Sequence, residues 1–158
     1  MAKGGSGAVG IGYGLTVAAA GMLATAIYAV FLVAPVEATL GISQKIFYFH
    51  VGSAINMLLS FAVCAMAGLA YLTVGGARPH WAGIADAVGV ATAEVGVTLG
   101  AIVLVTGPLW ARKAWGTWWT WEPRLTLSLM VFLLFLAYLA LRAFAGSDRF
   151  GRGVAAGL

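Results

Sequence analysis

Tryptophan is concentrated in one short stretch of this chain. Five of its six tryptophans lie within twelve residues, in W-A-R-K-A-W-G-T-W-W-T-W-E-P-R from position 110 to 124, called here the tryptophan segment. Indole rings offer a broad apolar face and one N–H donor, and one or two of them at a helix end suffice as an interfacial anchor. The density therefore favours a ligand platform made by Trp115, Trp118, Trp119 and Trp121. An interfacial belt combined with ordinary packing is the alternative.

Cations flank these rings and restrict the ligand. Arg112, Lys113 and Arg124 can pair with carboxylates or phosphates, and arginine does so through two parallel hydrogen bonds. The ligand is therefore expected to be flat, apolar and partly anionic, although these cations could instead bind lipid headgroups. Pro123 is predicted to start a helix, with Glu122 beside the positive N-terminus of that helix.

His50 is another residue that could take part in chemistry, and it lies in K-I-F-Y-F-H-V-G-S from position 45 to 53. It lies about one turn inside an apolar stretch, where an imidazole is costly unless it is hydrogen-bonded, faces a cavity or binds a metal. A metal ligand is favoured over a satisfied core histidine. A helix from His50 to Val74 would be about 36 Å long, so His80 beyond it cannot share a metal ion and is read as a solvated loop residue.

Two carboxylates lie on one later apolar stretch, Asp86 near its start and Glu94 deeper. Asp86 is expected to reach water. Glu94 should be protonated or paired, because an isolated carboxylate is expensive there. We expect a hydrogen bond from Glu94 to a threonine or serine of a neighbouring helix, with a proton path as the alternative. The sequence shows no nucleophile, paired-carboxylate or phosphate-loop motif, which argues against an enzyme.

Composition indicates that lipid, rather than water, surrounds these groups. Apolar residues make up 62% of the 158 residues and charged residues 9%, against about 45–50% and about 25% in soluble domains. Four apolar stretches reach the roughly 20 residues that a spanning helix needs. The prediction is an all-α polytopic membrane bundle in a single domain, residues 1–158, with four transmembrane helices at about 13–36, 46–74, 84–109 and 125–145 and an extracytoplasmic tryptophan-rich loop at 110–124.

Several other features fit a membrane bundle. The first stretch is longer than the h-region of a cleavable signal peptide, so it is interpreted as a retained span. The net charge of +4 comes from cations scattered singly, which argues against nucleic acid. Cys64 is the only cysteine and is assigned to packing. The spacing of Gly96 and Gly100 predicts close helix packing within the bundle.

Four spans place both termini on one side and the tryptophan segment on the other. The terminal side carries five cations, Lys3, Arg78, Arg142, Arg149 and Arg152, against four on the opposite side, Lys45, Arg112, Lys113 and Arg124. If the cations of the tryptophan segment serve a site, the positive-inside rule makes the termini cytoplasmic.

The stretch W-G-T-W-W-T-W-E-P-R-L-T, residues 115–126, resembles the tryptophan-rich "WWD" signature of the haem-handling proteins of cytochrome c maturation. It is most similar to the haem exporter protein C family, and His50 in I-F-Y-F-H-V resembles that family's first haem-ligating histidine. The resemblance implies a transiently held b-type haem at the outer face of a bacterial inner membrane, cradled by the tryptophans. It also implies that Arg124 and Arg112 face the propionates, and that haem passes to a periplasmic chaperone among other membrane subunits of the maturation system.

Two departures from the family pattern affect this expectation. Glu122 stands where the motif usually has aspartate. The family has six spans, with its second histidine ligand between the fifth and sixth, whereas four spans are predicted here. A fragment, a truncated gene product or half of a split protein is therefore expected. Haem would then be five-coordinate, take an exogenous ligand or complete its site with another chain. The rival hypotheses are a membrane electron-transfer subunit carrying a b-type haem and a small proton-coupled transporter that uses Glu94.

Overall fold

The computed structural model describes residues 4–74 and 77–145. Its helices are α1 (Gly4–Tyr28), which continues into a π-helical turn (Ala29–Val33), α2 (Gln44–Val74), α3 (Pro79–Trp115) and α4 (Pro123–Ala145). Each helical region includes a stretch long and apolar enough to cross a membrane. The prediction of an all-α polytopic bundle with four spans is confirmed. Lys3, Arg149 and Arg152, which contributed to the predicted orientation, lie outside the described residues.

The described chain divides after Lys45 into two compact units. In the first unit, Lys45 is buried and its ammonium donates hydrogen bonds to the carbonyls of Phe31 and Ala34, each at 3.1 Å. The last carbonyls of a helix lack intrahelical donors, and a lysine can supply them. Lys45 therefore caps the end of the π-helical turn.

The segment before α2 is organised by Glu37. Its carboxylate accepts hydrogen bonds from the backbone N–H groups of Leu40 and Thr39, and these bonds hold the pKa of Glu37 below its usual range. Gly41 closes the turn with a φ of 61°, a left-handed conformation that favours glycine. The chain can thus reverse before α2 without leaving the Glu37 carboxylate unpaired.

In the second unit, α2, α3 and α4 meet on a face of small residues of α3. Ala93 is fully buried, and Gly96 and Gly100 are buried beside it. A Cβ atom at Gly96 would lie 2.4 Å from Cε1 of Phe61 on α2, and one at Gly100 would lie 2.7 Å from Cδ2 of Phe132 on α4. The two glycines therefore allow both neighbouring helices to approach α3, which confirms the predicted close packing.

Aromatic rings and one thiol fill the space between α2 and α4. Phe61 stacks on Phe135 with ring centroids 3.9 Å apart and planes inclined by 8°. Cys64 is buried one turn further along α2, near the hydroxyls of Thr92 on α3 and Tyr138 on α4. The assignment of Cys64 to packing is confirmed, with contacts to both other helices of the unit.

An ion pair joins α3 to α4 at the end of the unit away from the tryptophan segment. Arg142 lies 2.8 Å from Asp86 through Nη1 and Oδ1, and its Nη2 donates to Oδ2 at 2.9 Å. The two side chains are only 16% and 21% exposed. The expectation that Asp86 simply reaches water is therefore wrong, because α4 brings a guanidinium against its carboxylate.

Candidate functional site

The tryptophan segment is partly helical. α3 extends six residues beyond the predicted end of its span and stops at Trp115, where Gly116 takes a φ of 77°. A glycine in this left-handed conformation commonly ends a helix. Trp110, Arg112 and Lys113 thus lie on the last turns of α3, and only residues 116–122 connect α3 to α4. Pro123 is the first residue of α4, as predicted.

His50 and the tryptophan segment lie at the same end of the second unit. His50 is near the start of α2, and its Nδ1 is 2.9 Å from Oγ1 of Thr106 on α3. Three residues before His50, Phe47 contacts the ring of Trp110, with centroids 6.0 Å apart. The antiparallel course of α2 and α3 therefore places the predicted metal ligand at the same end of the unit as the predicted platform.

The four platform tryptophans are not equivalent. Trp115, Trp118 and Trp121 are 53%, 55% and 75% exposed, while Trp119 is less exposed. Trp119 meets Trp121 edge to face at 76°, and Trp115 meets Trp110 in the same manner at 83°. The platform rings therefore do not form one flat plate, since Trp119 pairs with Trp121, Trp115 pairs with Trp110, and Trp118 belongs to neither pair. Trp115, Trp118 and Trp121 present exposed surface.

Both arginines predicted to bind anions lie over these rings. The Arg112 guanidinium is 5.9 Å from the ring centre of Trp118, and that of Arg124 is 5.9 Å from Trp115. Such cation–π contacts hold a guanidinium over the face of an aromatic ring. Arg112 also donates a hydrogen bond to the carbonyl of Gly116. The cations are thus positioned by the aromatic rings they were predicted to accompany.

Glu122 and Arg124 form an exposed ion pair. Nη2 and Nε of Arg124 donate to Oε1 of Glu122 at 2.6 and 3.1 Å, and the two side chains are 41% and 69% exposed. Exposed pairs of this kind contribute at most about 1 kcal/mol. An incoming carboxylate can therefore replace Glu122 as the partner of Arg124 at little cost.

Three hydrogen-bonding atoms at this end lack partners among residues 4–74 and 77–145. They are Nε1 of Trp110, Nε1 of Trp119 and Oγ1 of Thr126, and all three are buried. A buried donor without an acceptor costs about 1–3 kcal/mol. These three atoms could therefore each form one more hydrogen bond if an acceptor reached them.

His80 and Glu94 do not belong to this site. His80 lies 26 residues before Thr106 on α3, about 39 Å away along the helix. Glu94 is exposed on α3, and within the described part of the chain its side chain has no hydrogen-bond or ion-pair partner. The expected internal hydrogen bond of Glu94 is therefore wrong, because α2 and α4 pack on the other face of α3.

No group of three or more His, Cys, Asp or Glu side chains that could hold a bare metal ion occurs in the described ranges. A metal that brings its own equatorial ligands, such as porphyrin iron, needs only an axial one.

Thr106 and Gly107, which contact His50, were missed by sequence reasoning. The available signal was that Thr106 lies three residues before the predicted end of the third span, at 109, and His50 four residues after the predicted start of the second, at 46.

Comparisons with known proteins show similarity to one family. A family model described as Heme exporter protein C matches residues 9–156. Proteins named Heme exporter protein C are 37% identical in Rhodobacter capsulatus, over 70% of this chain and 43% of the relative, and 38% identical in Escherichia coli K12, over 79% and 48%. The corresponding protein of Haemophilus influenzae is 37% identical, over 79% and 48%.

The chain spans about half the length of the curated relatives it matches. The family match nevertheless covers nearly all of this chain, including all four helical spans. The predicted resemblance is confirmed, and this multi-pass membrane protein belongs to the Heme exporter protein C family.

Proposed function

We propose that this protein binds haem at the tryptophan end of α2, α3 and α4 and presents it for export during cytochrome c maturation. The observation that carries the proposal is the placement of His50 and of the exposed tryptophans at the same end of the bundle. Haem is flat and largely apolar, carries two carboxylates and takes an axial histidine. Each of these properties has a counterpart among the residues at this end.

His50 would supply the axial ligand. Its ring is held by Thr106 through Nδ1, so one ring nitrogen remains for iron. The exposed faces of Trp115, Trp118 and Trp121 would contact the porphyrin, since aromatic faces bind flat apolar rings well. Trp119 would support that surface through its edge-to-face contact with Trp121.

Arg112 and Arg124 would bind the propionates. Both guanidinium groups lie over tryptophan rings, and the exposed Glu122 can leave Arg124 when another carboxylate arrives. Glu122, at the start of α4, would then remain close to the arginine as an alternative partner. An exchange of this kind suits a protein that holds its ligand transiently.

The proposed setting is the bacterial inner membrane, with the tryptophan segment facing the periplasm. Support comes from the balance of Lys and Arg and from the family membership. Haem would leave from this side to a periplasmic chaperone, with other membrane subunits of cytochrome c maturation as partners. No covalent bond of the ligand changes in this process, so the proposal is haem delivery rather than an enzymatic reaction.

Replacing His50 by alanine is expected to lower haem affinity about tenfold or more, since one lost ligand bond is worth at least about 1.4 kcal/mol. Haem titration of the detergent-purified protein, followed by Soret absorbance, measures the affinity. His80→Gln serves as the matched control, because it removes the other histidine at the far end of α3. Equal haem binding by His50→Ala and the native protein would refute the assignment.

Replacing Trp118 or Trp121 by alanine is expected to weaken haem binding about 2- to 12-fold per ring, which corresponds to about 0.5–1.5 kcal/mol for one aromatic contact. Trp81→Ala is the control, since Trp81 is 58% exposed, like Trp118, but lies at the opposite end of α3. The same titration applies. A purely interfacial role for the tryptophan segment predicts that all three variants bind haem alike.

A further inference from the structure

The His50 imidazole lies against one turn of α3. Oγ1 of Thr106 is 2.9 Å from Nδ1 of His50 and 2.7 Å from the carbonyl oxygen of Ile102. The next residue, Gly107, leaves room for the ring, because a Cβ there would lie 3.0 Å from Cε1 of His50. Thr106 is therefore shared between a carbonyl that can only accept and a ring nitrogen that can donate or accept.

The single proton of the hydroxyl decides between these roles. A threonine hydroxyl has one O–H donor and two lone pairs. Two oxygens 2.7 Å apart attract only if a proton lies between them, so the Thr106 proton belongs to the contact with Ile102. The lone pair of Thr106 must then accept from His50, which requires a proton on Nδ1.

The opposite arrangement satisfies fewer contacts. If Thr106 donated to an unprotonated Nδ1, its oxygen would face the Ile102 carbonyl at 2.7 Å without a hydrogen bond. Two partial negative charges at that distance repel each other. One hydrogen bond would replace two, so the arrangement with Nδ1–H is favoured.

We infer that Thr106 is a positioning residue that fixes the tautomer of His50, with the proton on Nδ1 and the lone pair on Nε2. This inference rests on the proposed haem site for its consequence, which is that Nε2 is the iron ligand. Histidines that ligate metals commonly donate their other N–H to a fixed acceptor, which orients the ring and raises its basicity.

The tautomer can be measured without haem. In the full chain labelled with ¹⁵N-histidine, at about pH 8 where imidazole is neutral, two-bond ¹⁵N–¹H correlations distinguish Nδ1–H from Nε2–H. The chain has two histidines, so His80→Gln leaves the signals of His50 alone. We expect protonated Nδ1 and unprotonated Nε2. If the His50 ring carried its proton on Nε2 while Thr106 was unchanged, the inference would be overturned.

Variants of Thr106 test its consequence for binding. Thr106→Val keeps the shape but removes the acceptor, and haem affinity should fall about 10- to 100-fold, as for other residues that support a metal ligand. Thr106→Ser keeps the hydroxyl and should therefore keep both the Nδ1–H tautomer and the haem affinity of the native protein. Equal affinity of the valine and serine variants would contradict the positioning role.

The outcomes separate this inference from the proposed function. If His50→Ala loses haem but native His50 carries Nε2–H, the haem site stands and the role of Thr106 fails. If His50→Ala binds haem normally while the ring carries Nδ1–H, the tautomer is fixed as inferred but His50 is not the ligand.

Discussion

Arg142→Ala is expected to lower the free energy of unfolding by about 3–5 kcal/mol, the cost of removing one partner from a buried ion pair. Arg142 contacts Asp86 through both Nη atoms, and each side chain is about four-fifths buried. Without the guanidinium, the Asp86 carboxylate would stay in a low-dielectric environment without a counter-charge. Unfolding of the detergent-solubilised protein by a denaturing detergent, followed by circular dichroism, measures the loss.

Arg78→Ala is the control for this prediction. Arg78 precedes α3 at the same end of the helix and, among the described residues, its side chain forms no ion pair. Its replacement should change stability by no more than about 0.5 kcal/mol. The double variant Asp86→Ala/Arg142→Ala leaves no unpaired charge and should lose less than the sum of the single changes. Additive losses, or equal stability of Arg142→Ala and Arg78→Ala, would contradict a stabilising ion pair.

The sequence was sufficient to predict that the chemically important residues converge. Long apolar stretches with short connections require antiparallel neighbours, so a histidine early in α2 and tryptophans late in α3 had to lie at the same end. The structure adds the pairing of His50 with Thr106, 56 positions away. Which residue of α3 faces the imidazole depends on the rotation of each helix about its axis, and apolar composition does not report that rotation.

The acidic residues illustrate the same limit. Asp86 and Glu94 are eight positions apart, a separation of about 80° around a helix, so spacing alone would place them roughly on one face. The small residues Ala93, Gly96 and Gly100 mark the packed face of α3 more reliably, because only a face without bulky side chains lets other helices approach. Glu94 points away from this face and is exposed, while Asp86 lies closer to it and is reached by Arg142 of α4.

Helix ends were also misjudged from apolar content alone. The predicted third span stops at residue 109 because charged residues follow, yet a helix can continue into water while its hydrogen bonds remain intact. Gly116 was the available signal, since a glycine after a run of helix-compatible residues commonly terminates a helix. Extending α3 to Trp115 places Arg112 and Trp115 on rigid backbone, which suits a site that must hold a defined geometry.

Gly96→Ala is expected to lower the free energy of unfolding by about 3 kcal/mol, the upper end of the usual cost of an overpacked core. The added Cβ would lie 2.4 Å from Cε1 and 2.5 Å from Cδ1 of Phe61. The Phe61 ring is stacked on Phe135 at 3.9 Å and is buried, so it has no free space on its other side. The clash therefore has to be relieved by moving α2 away from α3, with loss of contacts along both helices.

Gly83→Ala provides a control whose expected effect has the opposite sign. Gly83 is also on α3, but a methyl group added there would have nothing within 4 Å. Alanine therefore adds only helix propensity at this position, about 0.8–1 kcal/mol in favour of the folded state. The two variants make the same chemical change in the same helix and differ only in what the new methyl group meets. If both shift the unfolding transition in the same direction, close approach of α2 to Gly96 does not limit the packing of this bundle.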